Sequence, residues 1–329
     1  MFTKIISLAL GCMIFFVSTP AARAAEDLLC STFPVYLFTR NVVEGSAVYS
    51  PSLMVDSQLG CPHDYAPTPA DLERLSQTGV LVINGLGLDA FMTRAIRVAK
   101  NDLKVIDASG GFDAYEEGGV PEIITNKETV AGMWGHEQHD HHHHAHDHGD
   151  APNPHIFAAP RTAAVMVNNI AEGLAVIDPG NSHLYRANAK RYTNSLADLT
   201  ASFQAFGEKM NHPKIIASHG VFDYMANDLG LTVAATIEEE DGAEPSAARL
   251  AQLIKLAKEE GVKAVIVDPQ GNINLARTLG AELNLPVAII DPVAAGPADA
   301  PLDYFEKVMR TDLEILTKLF SIPEAADKK

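Results

Sequence analysis

The sequence predicts an α/β protein of two lobes, each with a parallel sheet flanked by helices, joined by one long rigid helix. Three observations predict it. Short apolar runs alternate with amphipathic segments in both halves of the chain, the pattern of strands joined by crossover helices. The run Val80 to Ile83 is apolar throughout, as strands covered on both faces tend to be. Between the halves, one apolar stripe at helical spacing continues for about eight turns.

In the first half, Leu28 to Phe33 reads as a buried strand, and Pro34 opens a helix running to about Glu44. Val48 to Val55 is the next strand candidate. Pro69-Ala70-Asp71 starts a short helix that Gly79 ends, and Val80 to Ile83 is the third strand. Asp89 caps a helix ending near Lys100, and Leu103 to Ile106 is the fourth strand. After Asp178-Pro179-Gly180 the long helix begins, with apolar residues at Tyr185, Tyr192, Leu196, Leu199, Phe203, Phe206 and Met210. From Tyr192 onward the gaps are 4, 3, 4, 3 and 4, which lays one stripe along the rod. Asn211-His212-Pro213 stops it.

The second half repeats the alternation more cleanly. Its strand candidates are Lys214–Ser218, Leu231–Ala235, Ala264–Val267 and Val287–Ile290. Ser246 is a good N-cap for a helix that ends near Glu260 and is closed by Gly261. Pro301 to about Leu319 forms the last helix. The expected organisation is an N-terminal lobe over residues 25–179, a linking helix over 180–211 and a C-terminal lobe over 212–329.

Residues 1–24 are read as a leader. Lys4, the apolar run Ile5 to Val17 and the Ala22-x-Ala24 ending describe a secretory signal peptide cut after Ala24. The run is too short to span a bilayer, and no other stretch approaches ~18 apolar residues. A lipoprotein reading through Cys12 is weaker, because Ala9-Leu10-Gly11-Cys12 leaves almost no apolar centre. A periplasmic location is therefore expected, with no membrane insertion. Loss of Lys4 and Arg23 takes the formal charge from −17 to −19, which argues against a nucleic-acid or anionic-membrane partner. Cys30 and Cys61 remain after cleavage, and in an oxidising compartment a disulfide between them is expected. Closing a loop of ~30 residues would contribute roughly 3–4 kcal/mol. Neither cysteine has C-x-x-C spacing, so no cysteine metal site is expected.

The chemistry is concentrated in histidine. Eight of the thirteen histidines fall in one segment: His136, His139, His141, His142, His143, His144, His146 and His148, interleaved with acids. No core could bury such a run, so residues 134–150 are expected to form a solvated, mobile loop. Neutral imidazole is the commonest biological zinc ligand and also suits copper and nickel. The segment is thus expected to bind metal, at modest affinity because no site is preformed.

Of the remaining histidines, His183 and His212 sit at the ends of the long helix and read as structural. His63 follows a strand in Gly60-Cys61-Pro62-His63-Asp64-Tyr65, and His155 follows the histidine-rich segment. His219 sits at the carboxyl end of the strand that opens the second lobe. Taken singly, each is more often an ordinary loop histidine. Ligands of open parallel sheets, however, bind beyond the carboxyl ends of the strands. Asp291 occupies another such end, and Asp268 is its rival. Two donors per lobe would close a tetrahedral site of the kind zinc prefers.

His63-Asp64-Tyr65 with Pro67-Thr68-Pro69, then Asn84-Gly85-Leu86-Gly87, Asn153-Pro154-His155, Ser218-His219-Gly220 and Glu244-Pro245-Ser246 resemble the zinc and manganese solute-binding proteins of ABC importers. The match runs in order from about Leu28 to the last helix. The resemblance implies one metal between two lobes, held by His63, His155, His219 and Asp291, and a membrane permease as the partner of a monomeric chain. It leans toward zinc, with Mn2+ the alternative, because a third imidazole replaces the carboxylate common at His219 in manganese members. Pro62 stands where some zinc members carry an acid, so no fifth ligand is expected there. A periplasmic zinc buffer or metallochaperone would share the histidine-rich segment. A secreted zinc hydrolase fits poorly, since the chain lacks His-Glu-x-x-His and a fourth protein ligand would fill the position that catalytic zinc leaves open.

A competing-chelator titration with zinc should therefore show two affinity classes. Deleting residues 136–148 should remove the weak class alone; loss of the tight class would place its ligands on that segment instead.

Overall fold

The computed structural model describes residues 26–62, 65–99, 102–112, 153–238 and 245–320. Two four-stranded parallel sheets organise them. The first contains β1 (Glu26–Cys30), β2 (Tyr49–Leu53), β3 (Val80–Ile83) and β4 (Lys104–Asp107), in the order β2-β1-β3-β4. The second contains β5 (Lys214–Ala217), β6 (Thr232–Thr236), β7 (Ala264–Val267) and β8 (Val287–Ile289), in the order β6-β5-β7-β8. The two orders are the same. In each sheet the chain steps to one side of its first strand and then returns past it, which opens a crevice at the carboxyl ends of the central pair.

Strand periodicity assigns the layers. Leu28, Cys30, Val80 and Val82 face the main core, whereas Leu29, Leu81 and Ile83 face a separate cluster with Leu75, Met92 and Ile96. That second cluster is covered by α2 (Pro69–Gln77) and α3 (Thr93–Val98). In the second sheet, Ile215 and Ala217 face the main core, while Ile216, Val265 and Val267 pack with Ala257, Ala276 and Leu279 of α7 (Ala247–Glu260) and α8 (Ile273–Leu283). Successive side chains point to opposite faces, so each strand serves both layers.

The main core is continuous between the lobes. It is built on α1 (Phe33–Val42), α4 (Pro160–Ile177), α5 (Ser182–Gly207), the short α6 (Asp223–Asp228) and α9 (Tyr304–Phe320). The stripe Tyr185, Tyr192, Leu196, Leu199, Phe203 and Phe206 is buried along α5. Asn188 on the same helix donates from its amide to the carbonyls of Val42 and Glu44 (2.9 and 2.8 Å), tying α5 to the end of α1.

Local chemistry explains the helix ends. Thr68 and Asp71 form a capping box at the start of α2, with Pro69 at the first turn. Ser246 accepts from the Arg249 amide to cap α7, and Gly261 closes it in the left-handed conformation. The linking helix runs over Ser182–Gly207, inside the expected 180–211, because Pro179–Asn181 forms a 3-10 turn before it. Beyond Gly207, Glu208 to Met210 turn away, where the glycine lies against Gly230: a Cβ there would lie 3.1 Å from the Gly230 nitrogen. Helix α4 was not among the expected elements, and it forms a hairpin with α5.

The expected disulfide is not formed. Both cysteines are free. Cys30 ends β1 inside the core, its sulfur 4.0 Å from the Leu28 carbonyl oxygen, while the Cys61 sulfur turns toward two histidines. The leader (1–24), the histidine-rich segment and His63 lie outside the described residues, and among the described residues no helix is long and apolar enough to cross a membrane.

The two lobes also meet across a strap formed by residues 296–302. Gly296 donates its amide to the Ser57 carbonyl at 2.8 Å and accepts from the Gln58 side chain. The Ala298, Ala300 and Leu302 carbonyls accept from Tyr36, Arg40 and Asn41 of α1. Below the strap, Phe38 meets Phe305 edge to face at 5.3 Å.

Gly85 anchors the turn after β3. Its φ is +86°, and a Cβ there would lie 2.0 Å from both Asp107 Oδ1 and Ser109 Oγ. Gly85→Ala should destabilise the fold by at least about 2 kcal/mol, combining backbone strain with overpacking. Urea-unfolding midpoints of the two proteins check this.

Candidate metal centre

The carboxyl ends of the strands carry the polar residues that the sequence singles out. Parallel register pairs Ala217 with Ile266, so the residues that follow, Ser218-His219 and Asp268, emerge side by side at the crevice of the second sheet. Asn84 follows β3 at the matching place in the first sheet, and its amide donates to the Pro154 carbonyl at 2.9 Å. That bond fixes the segment Asn153-Pro154-His155 over the first crevice.

Asn153 then spans the gap. Its Nδ2 donates to the Gly220 carbonyl (2.7 Å) and to Asp223 Oδ2 (2.8 Å) in the second lobe. Its Oδ1 accepts the His155 backbone N–H at 3.0 Å and stands 2.7 Å from His155 Nδ1. An amide oxygen can only accept, so Nδ1 carries the proton and the ring's lone pair is on Nε2, the form a metal needs. Tyr224 completes the bridge by donating its hydroxyl hydrogen to the Asn153 carbonyl at 2.9 Å.

His219 approaches from the opposite side. Its ring centroid lies 5.4 Å from that of His155, in edge-to-face orientation. Its Nδ1 faces Asp268 Oδ2 at 3.5 Å. That carboxylate accepts from the Ser218 hydroxyl at 2.7 Å, and its other oxygen accepts the Gln270 amide at 3.0 Å. Burial opposes ionisation of Asp268, but the hydrogen bonds from His219 and Ser218 outweigh it and hold the carboxyl below the usual range. A carboxylate behind a histidine orients the ring and raises its basicity. Asp268 is thus placed as an orienting group behind His219.

Cys61 completes the trio. Among the described residues, ligand atoms of Cys61, His155 and His219 all lie within 4.8 Å of one another. Cys61 comes from the loop after β2, whose course is fixed on both sides. Gly60 before it has φ +79° and backs onto Gln270, and Tyr65 beyond it donates to Asp71 Oδ2 at 2.6 Å. Burial, with the nearby charges of Asp268 and Glu238, pushes the Cys61 thiol well above its ordinary pKa. With no second cysteine at metal-binding spacing, Cys61 carries no metal signal in the sequence. Its partners are histidines distant in sequence.

Asp291 is in the same neighbourhood but outside the trio. Its Oδ1 accepts the Val293 amide at 2.8 Å, and its backbone N–H is held by the Asp312 carboxyl at 3.1 Å. Val293 pays for this turn with φ +62°, a strained conformation for a β-branched residue. Burial raises the Asp291 pKa and Asp268 adds to it; burial pushes Asp312 up to about 8. Glu238 is raised chiefly by burial and is partly offset by His219. Acidic side chains thus gather around two imidazoles and a thiol, an arrangement that attracts a cation.

Two lobes of matching topology meet over this donor set, the architecture of a two-lobe binding protein. The chain belongs to the family described as ZnuA, zinc-uptake complex component A periplasmic, whose model matches residues 28–319. The family is one of substrate-binding components. The chain is 28% identical over 289 residues to the high-affinity zinc uptake system protein ZnuA of Bacillus subtilis (strain 168), covering 86% of this chain and 84% of that protein. It is 24% identical over 307 residues to the zinc-binding protein AdcA of Streptococcus pyogenes, spanning 90% of this chain but only 56% of AdcA. Among solved structures, ZnuA superposes with a TM-score of 0.67 at 25% identity, covering 88% of this chain and 98% of that one. The binding protein FpvC of Pseudomonas aeruginosa, solved with Mn2+, gives 0.71 at 24% identity, covering 90% and 98%, and shares the fold.

Asp268→Asn should weaken tight zinc binding by about 10–100-fold, the usual worth of an outer-shell partner, without changing the far-ultraviolet circular dichroism. Chelator competition checks this, and an unchanged affinity would show that Asp268 does not act through His219.

Proposed function

We propose that this protein captures zinc in the cleft between its lobes, in the periplasm, and delivers it to the membrane permease of an ABC importer. One observation carries the reading: two imidazoles far apart in sequence, His155 and His219, bring ring nitrogens within 4.8 Å of one another across the lobe boundary. A metal bound there touches both lobes, so occupancy can be read from the outer surface by a permease. In this reading His63 supplies a third imidazole and Asp291 a carboxylate. The N-terminal lobe is residues 25–179 after removal of a leader over 1–24, and the connecting segment 180–211 leads into the C-terminal lobe at 212–329.

The donors favour zinc. Imidazole suits zinc, copper and nickel, whereas Mn2+ prefers an oxygen-rich shell. The fold does not choose the ion by itself, since FpvC has been solved with Mn2+ and with Ni2+. The histidine-rich segment, His136 to His148, serves as an accessory element that gathers ions at modest affinity, and Asn153-Pro154-His155 follows it in the sequence.

Metal analysis of untagged protein, with a competition titration across pH, tests the proposal. Protons and zinc compete for imidazole, and free histidine takes its proton near pH ~6.5. Tight binding should be full above that range and should fall steeply below about pH 6. His219→Ala should abolish the tight class while leaving the histidine-rich segment's weak class intact. Retention of tight binding in His219→Ala would refute the cleft assignment.

A further inference from the structure

Cys61 has no role in the expected ligand set, and the disulfide that would have engaged it is absent. It is a half-buried thiol whose neighbours are the two histidines that reach across the lobes. We infer that Cys61 is a metal ligand, supplying a thiolate to the ion held by His155 and His219, and that Asp291 acts from the outer shell. The inference rests on the cleft reading above and replaces Asp291 by Cys61 in its ligand set.

Three features of the structure support it. The Cys61, His155 and His219 ligand atoms fall within one 4.8 Å cluster, and no oxygen of Asp291 belongs to it. In a tetrahedral zinc site with bonds of about 2.0–2.3 Å, neighbouring donor atoms stand roughly 3.3–3.8 Å apart, so the trio needs only small adjustments to close on one ion. Second, the loop that carries Cys61 is built to aim it. Gly60 adopts φ +79° and lies against Gln270, which allows the turn, and the following chain is anchored at Tyr65 and at the Thr68 capping box. Third, one oxygen of the Asp291 carboxylate is held by the Val293 amide, and the strained Val293 fixes that geometry.

The chemistry balances simply. The thiol proton passes to solvent as the sulfur–metal bond forms, and no oxidation state changes. A thiolate with imidazoles selects zinc and other borderline or soft ions over Mn2+ and Mg2+. The residue would thus set the selectivity of the cleft within a fold that accommodates several ions.

Cobalt(II) reports the ligand directly, because a thiolate–Co(II) bond gives an intense near-ultraviolet charge-transfer band that imidazole and carboxylate do not. The probe is Co2+ alone, added to untagged protein that has been reduced and freed of reductant under nitrogen. The histidine-rich segment cannot confuse the reading, since residues 134–150 contain no cysteine. The expected result is a band that saturates with the tight equivalent, survives in Cys30→Ser and disappears in Cys61→Ser and Cys61→Ala. In Cys61→Ser, zinc affinity should fall by more than the ~10–100-fold of an outer-shell loss, Mn2+ affinity should fall less, and Asp291→Asn should cost less than Cys61→Ser. Tight Co2+ uptake without the band, or a band that persists in Cys61→Ser, overturns the inference and leaves the cleft reading standing. Absence of tight uptake by the parent protein, or tight uptake that survives loss of His155 and His219 together, overturns the cleft reading and this inference with it.

Discussion

The apolar face of α5 is buried against α1 and α4 on the side of the first sheet and against α6 and α9 on the side of the second. Each fully buried side chain along it contributes about 1.5–3 kcal/mol, and the stripe from Tyr185 to Phe206 is almost unbroken. The consequence is a single core through both lobes. The carboxyl edges of the two sheets therefore face one another at a fixed spacing, and the donors on those edges need no large rearrangement to meet. The strap at residues 296–302 and the Phe38–Phe305 contact reinforce the same arrangement.

Within that frame, the cleft is organised by a few hydrogen bonds of well-defined direction. Asn153 fixes the His155 tautomer with one end of its amide and grips the second lobe with the other. Its oxygen faces donors and its nitrogen faces acceptors at every contact, so the amide orientation is set by four partners together. Asp268 does for His219 what Asn153 does for His155, with an added negative charge. Burial disfavours the charged carboxylates of Asp291, Asp312 and Glu238 and lifts all three pKa values. A bound cation would relieve that cost, which is a physical reason for a metal to hold the lobes together.

The solved relatives show how far the fold alone carries a functional conclusion. Structures with TM-scores near 0.7 to this chain have been determined with Mn2+, Ni2+ and zinc. A common scaffold thus accommodates different ions, and selection must reside in the donors. Here the described donors are two imidazoles and a thiol, softer than a carboxylate-rich set.

The alternation of strands and helices, the long stripe of α5 and the caps at Ser246 and Gly261 were legible in the sequence because each depends on local periodicity or on a residue's own backbone preference. Strand bounds differ by one to three residues, where hydrogen bonding rather than composition ends the element. Helix α4 is not among the elements read from the sequence, although Arg161, Asn168 and Glu172 fall on one face of Pro160–Ile177. The candidate ligands His155 and His219 could be read from motif and strand-end position. Tertiary structure alone decided their partners. Asp268 lies behind His219, Asn153 joins the lobes, and Cys61 turns toward histidines instead of Cys30, because these contacts join residues up to about 160 positions apart, and only the packing of two sheets on one helix brings such residues together.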